Sequence, residues 1–260
     1  MCLFFPATML ADAGTPPPPA FDPATLSAHA WWDPSDLSTL WQDSARTTPV
    51  TADGDPVGCI DDKSGNGRSL VQATSGKRPL YKTAGGLHWL ELDGTDDQRT
   101  SASAWSTVIT ASTYEACVAG RFNAITTNNT NFYGNVSLFA DPSGYIGIAI
   151  GRNTAGGLIG AGNWDGSNDF LTTAYAAGDD FVWSQRHVSG TLYGALDGGA
   201  DVSLASGNQS NVTTAIRLGQ SVSGGYLNGR FYGGLIRKTE FATERADVKG
   251  WLAAKAGVTL

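Results

Sequence analysis

The sequence is poor in charge and in basic clusters, and these shortages exclude two classes of partner. Charged residues make up 16% of the 260 residues, and the formal net charge is -7. No cluster of five or more Lys or Arg occurs in the chain. Because nucleic acids and anionic membranes attract basic surfaces, neither is an expected partner. No run of about 18 apolar residues occurs, so no transmembrane span is predicted.

Cysteine is also scarce. The chain has three cysteines, Cys2, Cys59 and Cys117, and no C-x-x-C pair. An odd number of well-separated cysteines excludes a full disulfide framework. The favoured interpretation is three reduced thiols, with Cys59 and Cys117 as small buried apolar residues. A Cys59–Cys117 bridge is the alternative.

The chain is rich in apolar residues and in glycine. Hydrophobic residues make up 41%, with 8 Trp and 33 Gly, which is typical of one globular domain with a sizeable core. Short runs of alternating apolar and polar residues are separated by turn signals every 8–12 residues or so, which favours a β-sandwich or barrel. In residues 87–93, Leu87, Trp89 and Glu91 should share one face. Ser189-Gly190 and Asp197-Gly198 predict tight turns.

Helix signals are few. The best predicted helix spans residues 244–256, with Thr243 as N-cap and Gly257 as the stop. Val248, Trp251, Leu252 and Lys255 fall on one stripe at helical spacing, and its apolar part should pack on the sandwich. Short helical turns are also predicted within residues 22–29 and 34–41.

The N-terminal segment differs from the rest. Residues 1–10 are apolar, and residues 16–19 are four consecutive prolines, which favour an extended strut. A signal peptide ending near Ala13 is disfavoured, because the start has no positive charge and Pro6 interrupts the apolar run. We therefore predict an arm over residues 1–25, followed by a single domain over residues 26–260. The residues expected to bind a protein partner are Leu3, Phe4, Phe5, Met9 and Leu10.

Segments in the second half of the chain resemble a known domain family. Residues 183–199 resemble the hairpin of laminin-G-like domains, and residues 231–245 resemble the closing strand of that family with the start of its helix. Residues 90–97 resemble its F-D-G-x-D-D strand and turn. With the Trp-rich residues 31–36 at the front, the resemblance covers roughly residues 26–260.

Within that fold, the chain is most similar to concanavalin A-like domains of bacteriophage and prophage structural proteins. The similar segments are WDPSDLS at 32–38, DKSGNG at 62–67 and WLAAKAGV at 251–258. The resemblance implies an all-β fold, a two-sheet antiparallel jelly-roll sandwich of the lectin and laminin-G-like kind. We expect this sandwich to carry a short C-terminal helix and an extended N-terminal arm. The resemblance also implies that the domain is displayed on a virion.

Two carboxylates are weighed as catalytic groups. Alternation puts Glu91 and Asp93 on one face of a strand, and β-glucanases that share the sandwich fold carry Glu-x-Asp-x-Glu in such a strand. Here Thr95 stands where the last Glu would be, so the second carboxylate is missing. The preferred interpretation is a core strand that ends in an Asp-Gly turn, and no catalytic residue is assigned.

Two loops are weighed as ligand sites. Residues 61–67 have the composition of a calcium loop but lack its spacing, so an Asx-rich turn is preferred. Laminin-G-like domains often hold a calcium ion at a rim, so the resemblance leaves room for calcium without assigning ligands, and no other cofactor is expected. Residues 162–170 are the best glycan-loop candidate, against the alternative of a packed hairpin. The candidate glycan-binding residues are Trp164, Asp165, Asn168 and Asp169.

The leading functional prediction is a non-enzymatic phage virion protein, either a capsid decoration or a tail or fibre component. Its arm would bind other virion proteins in a multi-copy assembly, and its sandwich would adhere to a host surface glycan. It would be made in the host cytoplasm and located in the virion. The alternatives are a free carbohydrate-binding lectin and a polysaccharide-cleaving enzyme of the β-glucanase type.

Overall fold

The computed structural model describes residues 21–101, 113–124, 137–140, 149–153, 158–164, 168–206, 215–220 and 226–260. The strands are β1 Ala30–Trp32, β2 Leu40–Trp41, β3 Cys59–Ile60, β4 Leu70–Val71, β5 Leu80–Ala84, β6 Leu87–Asp93, β7 Arg99–Ser101, β8 Thr113–Ala124, β9 Ser137–Ala140, β10 Ala149–Asn153, β11 Leu158–Trp164, β12 Asn168–Ala174, β13 Asp180–Val188, β14 Thr191–Leu196, β15 Val202–Ala205, β16 Arg217–Leu218 and β17 Asn228–Arg237. One α-helix, α1, spans Arg245–Ala256. Short 3-10 turns lie at Pro23–Thr25, Leu37–Thr39, Ser75–Lys77 and Ala242–Glu244.

The strands form two antiparallel sheets. The first sheet has the order β15-β14-β13-β8-β17-β6-β5, and β1 shares one edge of β17 with β6. The second sheet has the order β12-β11-β10-β9-β16-β7-β4-β3-β2. The predicted all-β, two-sheet sandwich is therefore confirmed. Residues 1–20 of the predicted arm lie outside the described residues.

The main core fills the space between the sheets. Alternation along β8 and β13 turns Tyr114, Val118 and Trp183 towards this core, where each is almost fully buried. The same alternation in β6 sends Leu90 inwards and Trp89 to the opposite face, as the sequence predicts.

A second core lies on the other face of the first sheet, under α1. Val248 and Leu252 pack there against Cys117, Ala119 and other buried residues, so the predicted apolar stripe of the helix is confirmed. Gly257 ends the helix at φ 70°, also as predicted. Among the described residues, no helix is long and apolar enough to span a membrane.

The predicted N-cap at Thr243 is wrong. The N-cap position is Glu244, which makes no side-chain capping bond. The start of α1 is instead fixed by the buried Glu115 of β8. Its carboxylate accepts from the backbone N–H of Phe241 at 2.7 Å and from Arg245 at 2.6 and 3.0 Å. A tertiary partner thus does what the local capping signal was expected to do.

The tight turns follow the sequence. Ser189 and Gly190 have φ of 47° and 83°, and Asp197 and Gly198 have φ of 47° and 78°. Positive φ at both central residues is the geometry of a two-residue hairpin turn. The Ser189-Gly190 turn joins β13 to β14 with Val188 opposite Thr191, and Asp180, at the start of β13, lies opposite Arg121 of β8.

Candidate functional site

Four charged residues form a row across neighbouring strands of the first sheet. Glu91 of β6 lies directly opposite Arg230 of β17, which lies opposite Arg121 of β8, which lies opposite Asp180 of β13. Directly opposite residues share a face of the sheet, and here it is the face that turns away from the main core. Leu80 of β5 extends the row beyond Glu91 and is 40% exposed. We call Glu91, Arg230, Arg121 and Asp180 the charged row.

Arg121 and Asp180 form a two-pronged ion pair. Nε of Arg121 donates to Oδ1 of Asp180 at 2.7 Å, and Nη2 donates to Oδ2. The hydrogen bond from Arg121 to Asp180 is the main reason why the pKa of the arginine is raised. The forked geometry fixes the guanidinium plane as well as its charge. Nη1 of Arg121 has no partner among the described residues.

Arg230 is held from three sides. Its Nε donates to Oε2 of Glu91 at 3.1 Å, its Nη1 donates to the hydroxyl of Tyr232 at 3.2 Å, and its guanidinium lies 4.4 Å from the centroid of the Trp89 ring. Cation–π stacking and ion pairing together fix the side chain. Nη2 of Arg230 has no partner within the part of the chain that the structure describes.

Tyr232 joins the two ion pairs. The residue is fully buried, and its hydroxyl donates to Oδ1 of Asp180 at 2.7 Å. Burial is the main reason why the pKa of Tyr232 is raised to about 12, with the bond from Arg230 opposing the rise and Asp180 adding to it. The hydroxyl therefore keeps its proton at neutral pH and bridges the two arginine–carboxylate pairs.

Two amides lie one register step beyond the charged row. Nδ2 of Asn123 donates to Oε1 of Glu91 at 3.2 Å and to Oδ1 of Asn228 at 3.1 Å. The four side chains of the charged row keep between 20% and 29% of their surface exposed. The result is a shallow polar surface of planar groups, each oriented by its neighbours, that a polar ligand can reach.

Arg121, Asp180 and Arg230 were not predicted as site residues, although the sequence contains a signal for the two arginines. The tripeptide Gly-Arg-Phe occurs at 120–122 and again at 229–231. In the structure the two copies pair antiparallel, with Arg121 opposite Arg230 and each Phe opposite the other Gly. A Cβ on Gly229 would lie 2.0 Å from the backbone oxygen of Arg121, so this close pairing requires glycine.

The predicted glycan-binding residues do not belong to the charged row. Trp164 and Asn168 pair at the loop end of the β11–β12 hairpin, and Asp169 pairs with Asn163. The backbone of β11 and β12 therefore forms a hairpin, and the glycan-binding prediction stays a prediction. Asp165 and the side chains of all four residues lie outside the described residues. So do the five apolar arm residues, Leu3, Phe4, Phe5, Met9 and Leu10.

Glu91 and Asp93 have separate structural tasks. Glu91 accepts from Trp89 Nε1 at 2.5 Å in addition to Arg230 and Asn123. Asp93 accepts from the backbone N–H of Thr95 at 2.8 Å, as the predicted Asp-Gly turn requires.

The residue 61–67 loop is an Asx-rich turn, and its carboxylates are occupied by protein donors. Asp62 accepts from the backbone N–H groups of Trp31, Ser64 and Arg68. Asp61 accepts from Trp41 Nε1 at 2.8 Å and from Arg46 at 2.7 Å. These oxygens are therefore poor candidates for calcium ligands.

A different acidic group lies in the turn after β6. Carboxylate oxygens of Asp93, Asp96 and Asp97 lie within 4.8 Å of one another. Burial raises the pKa of Asp97 to about 6, and the nearby charges of Asp93 and Asp96 add to this effect. Carboxylate oxygens are suitable calcium ligands. Among the described residues, this turn is therefore the best candidate for a cation site.

Cys59 and Cys117 are free and buried. They lie in β3 and β8, which belong to different sheets. Burial raises the pKa of Cys59 to about 12 and raises that of Cys117 well above its usual value. The interpretation of both as buried, reduced thiols is confirmed, and neither is a poised nucleophile.

The described surface also has an apolar groove of about 360 Å³ along α1. Phe21 and Trp251 flank it, and its lining is completed by Ala246, Asp247, Gly250 and Ala254. Trp251 is braced from behind by the edge of Trp31, whose ring centroid is 6.1 Å away.

No protein-family model and no curated protein matches the chain. Solved structures share its fold. The binding domain of botulinum neurotoxin serotype G has a TM-score of 0.58 at 12% identity, over 87% of this chain and 51% of that one. A GH54 α-L-arabinofuranosidase soaked with a cyclic sulfate inhibitor has a TM-score of 0.52 at 17% identity, over 88% of this chain and 63% of that one.

Trypanosoma rangeli sialidase in complex with sialic acid has a TM-score of 0.52 at 7% identity, over 86% of this chain and 32% of the enzyme. The chain thus spans less than two thirds of each of these three proteins. At these identities, the likeness establishes the β-sandwich fold alone.

Proposed function

We propose that this chain is a non-catalytic carbohydrate-binding β-sandwich, and that the charged row with Asn123 and Asn228 is its binding surface. The observation that carries the proposal is the set of planar polar groups in one partly exposed patch of the sheet face, each held by a partner. Sugar hydroxyls are recognised by such fixed donors and acceptors, and an ordered surface loses little entropy on binding. The exposed Leu80 beside the row supplies an apolar contact for a sugar ring.

The fold comparisons support the ligand class by analogy. The similar structures include a sialidase in complex with sialic acid and a neurotoxin, type C, whose cell entry depends on two ganglioside molecules. Function belongs to sites rather than folds, so the analogy adds weight only beside the charged row.

The proposal excludes hydrolysis by Glu91 and Asp93. Glu91 accepts three hydrogen bonds from protein donors, and Asp93 is used in the turn. Glycosidases act with a pair of carboxyl groups, and both Glu91 and Asp180, the two carboxylates of the charged row, are held in ion pairs with arginine.

A glycan array probed with the full-length chain tests the binding proposal. Asn123→Ala/Asn228→Ala should weaken binding about tenfold or more, because both amides are lost while the ion pairs stay. Gln42→Ala is the matched control, since Gln42 is an amide that directly follows β2 of the second sheet. Absence of glycan binding, or full binding by the double variant, would contradict the proposal. Release of products that Glu91→Gln abolishes would contradict its non-catalytic part.

We further propose that the module is a component of a phage virion, bound through residues 1–20 to other virion proteins. The supporting observation is that the three phage-like segments meet in space. Lys63 of the second segment bonds to Asp36 of the first at 2.6 Å, and Lys255 of the third bonds to Asp33 of the first at 3.0 Å. The segments therefore form one structural unit rather than three separate similarities.

Mass spectrometry of purified particles tests this second proposal. We expect a stoichiometric band of the chain, and deletion of residues 1–20 should lower its incorporation. Particles without the chain would leave the free lectin as the better description, and unchanged incorporation of the deletion variant would contradict the role of the arm.

A further inference from the structure

Arg121 and Arg230 are an unusual pair. They lie directly opposite each other on adjacent strands, on the same face of the first sheet. Like charges in directly opposite positions destabilise a sheet, because their Cβ atoms are only about 4.5–5.5 Å apart. A pairing of this kind persists where something else compensates for the repulsion.

The outer carboxylates compensate for part of it. Asp180 binds Nε and Nη2 of Arg121, and Glu91 binds Nε of Arg230. Oδ1 of Asp180 also accepts from the hydroxyl of Tyr232, which accepts from Nη1 of Arg230, so one hydroxyl and one carboxylate link the two guanidinium groups. The four formal charges of the row sum to zero.

The guanidinium atoms left without a protein acceptor are donors. Among the described residues, no acceptor bonds to Nη1 of Arg121 or to Nη2 of Arg230. Both guanidinium groups are fixed, one by its two-pronged ion pair and the other by Trp89 and Tyr232. Two fixed guanidinium groups that present free N–H groups match the oxygens of a planar or tetrahedral anion.

The acidity of the whole chain does not prevent this. Its net charge is -7, but charges beyond about 8 Å are largely screened at physiological ionic strength. Within that distance Glu91 and Asp180 balance the two arginines, so an anion would be held by directed N–H donors and not by net charge.

We propose that Arg121 and Arg230 form a clamp for an anionic sugar, in which the carboxylate or sulfate group lies between the two guanidinium groups. This inference rests on the proposed carbohydrate-binding function and names its ligand class. The neutral parts of the sugar would then lie along Asn123, Asn228 and Leu80.

The test uses matched pairs of ligands on the full-length chain. Uronate oligosaccharides are compared by calorimetry with their carboxyl-reduced counterparts, which differ only in the acid group, and a sulfated neutral oligosaccharide forms a third arm. We expect about a tenfold or greater preference for an acidic member over its neutral counterpart, falling as salt is raised. The third arm tells whether the anion is carboxylate or sulfate.

Variants locate the preference. Arg121→Lys/Arg230→Lys keeps both charges but loses the fixed planar donors, so the preference should fall to near unity. The single variant Arg121→Lys should lose part of it, and it serves if the double variant unfolds. Arg46→Gln is the control, because Arg46 pairs with Asp61 near the second sheet.

The outcomes separate the two proposals. Equal binding of neutral and acidic members, or a preference that survives in the folded Lys variants, overturns the clamp and leaves the carbohydrate-binding proposal standing. Absence of binding by every ligand overturns both.

Discussion

Lys255 in the last turn of α1 bonds to Asp33, 222 residues earlier in the chain. Its Nζ lies 3.0 Å from Oδ2 of Asp33, which is only 4% exposed, and 2.5 Å from the hydroxyl of Ser35. Asp33 also accepts from the N–H and the hydroxyl of Ser35. One carboxylate thus orders the turn after β1 and ties it to the C-terminal helix.

A double-mutant cycle should show this coupling. Asp33→Asn and Lys255→Met should each lower the free energy of unfolding by about 2 kcal/mol. Each substitution removes one charge of a mostly buried ion pair and leaves the opposite charge behind. The double variant should lose less than the sum, with a coupling of about 1–2 kcal/mol. Urea unfolding of the four proteins measures it, and strictly additive losses would contradict a direct bond.

Local patterns predicted the elements of this fold better than its contacts. Alternation around Trp89 and the helical stripe at Val248 and Leu252 were correct, because burial on one face leaves a period in the sequence. The Gly turns were correct because few residues tolerate positive φ.

The charged row was not predictable in the same way. It exists only because Glu91, Arg230, Arg121 and Asp180 share a register level, and that level is set by strand pairings between distant segments. The failed N-cap at Thr243 has the same cause, since Glu115 reaches the helix start from another strand.

Glu115 is expected to be the most costly charge to remove. It is fully buried and accepts three hydrogen bonds from Phe241 and Arg245. Glu115→Ala should lower the free energy of unfolding by about 3–5 kcal/mol, because the anchor of α1 is lost and its donors lose their acceptor. Glu244→Ala is the control. Glu244 is 39% exposed and 3.7 Å from Arg237, so its loss should be below about 1 kcal/mol. Similar losses for both variants would contradict this account.

Two Gly→Ala substitutions should change the stability of the fold in opposite directions. A Cβ on Gly194 would lie 2.5 Å from Cζ2 of the buried Trp183, so Gly194→Ala should cost about 1–3 kcal/mol through overpacking. A Cβ on Gly250, within α1, would meet nothing within 4 Å, so Gly250→Ala should stabilise by about 0.5–1 kcal/mol through helix propensity. Thermal unfolding of the two variants gives the signs, and a destabilised Gly250→Ala would contradict the open face of the helix.

Asp97 should make stability depend on pH in the direction opposite to most carboxylates. Burial raises its pKa from 3.8 to about 6, so its ionised form is less favourable in the folded chain than in the unfolded one. The folded chain is therefore stabilised relative to the unfolded chain while Asp97 is protonated. This stabilisation is fully present below about pH 3.8 and is lost as pH rises through about 6.

Comparison with Asp97→Asn isolates this effect, because an amide oxygen can still accept from the backbone N–H of Asp93. Relative to that variant, the wild-type chain should lose up to about 3 kcal/mol of unfolding free energy between pH 4 and pH 8. Asp53→Asn should give the reverse trend. The backbone bond from Thr83 and the ion pair with Lys82 lower the pKa of Asp53, so its stabilisation is lost as pH falls. Urea unfolding between pH 4 and pH 8 measures the Asp97 difference. The Asp53 difference is measured below pH 3.8, because above that value its stabilisation is fully present. A constant difference between the wild-type chain and Asp97→Asn would mean that Asp97 ionises normally in the folded chain.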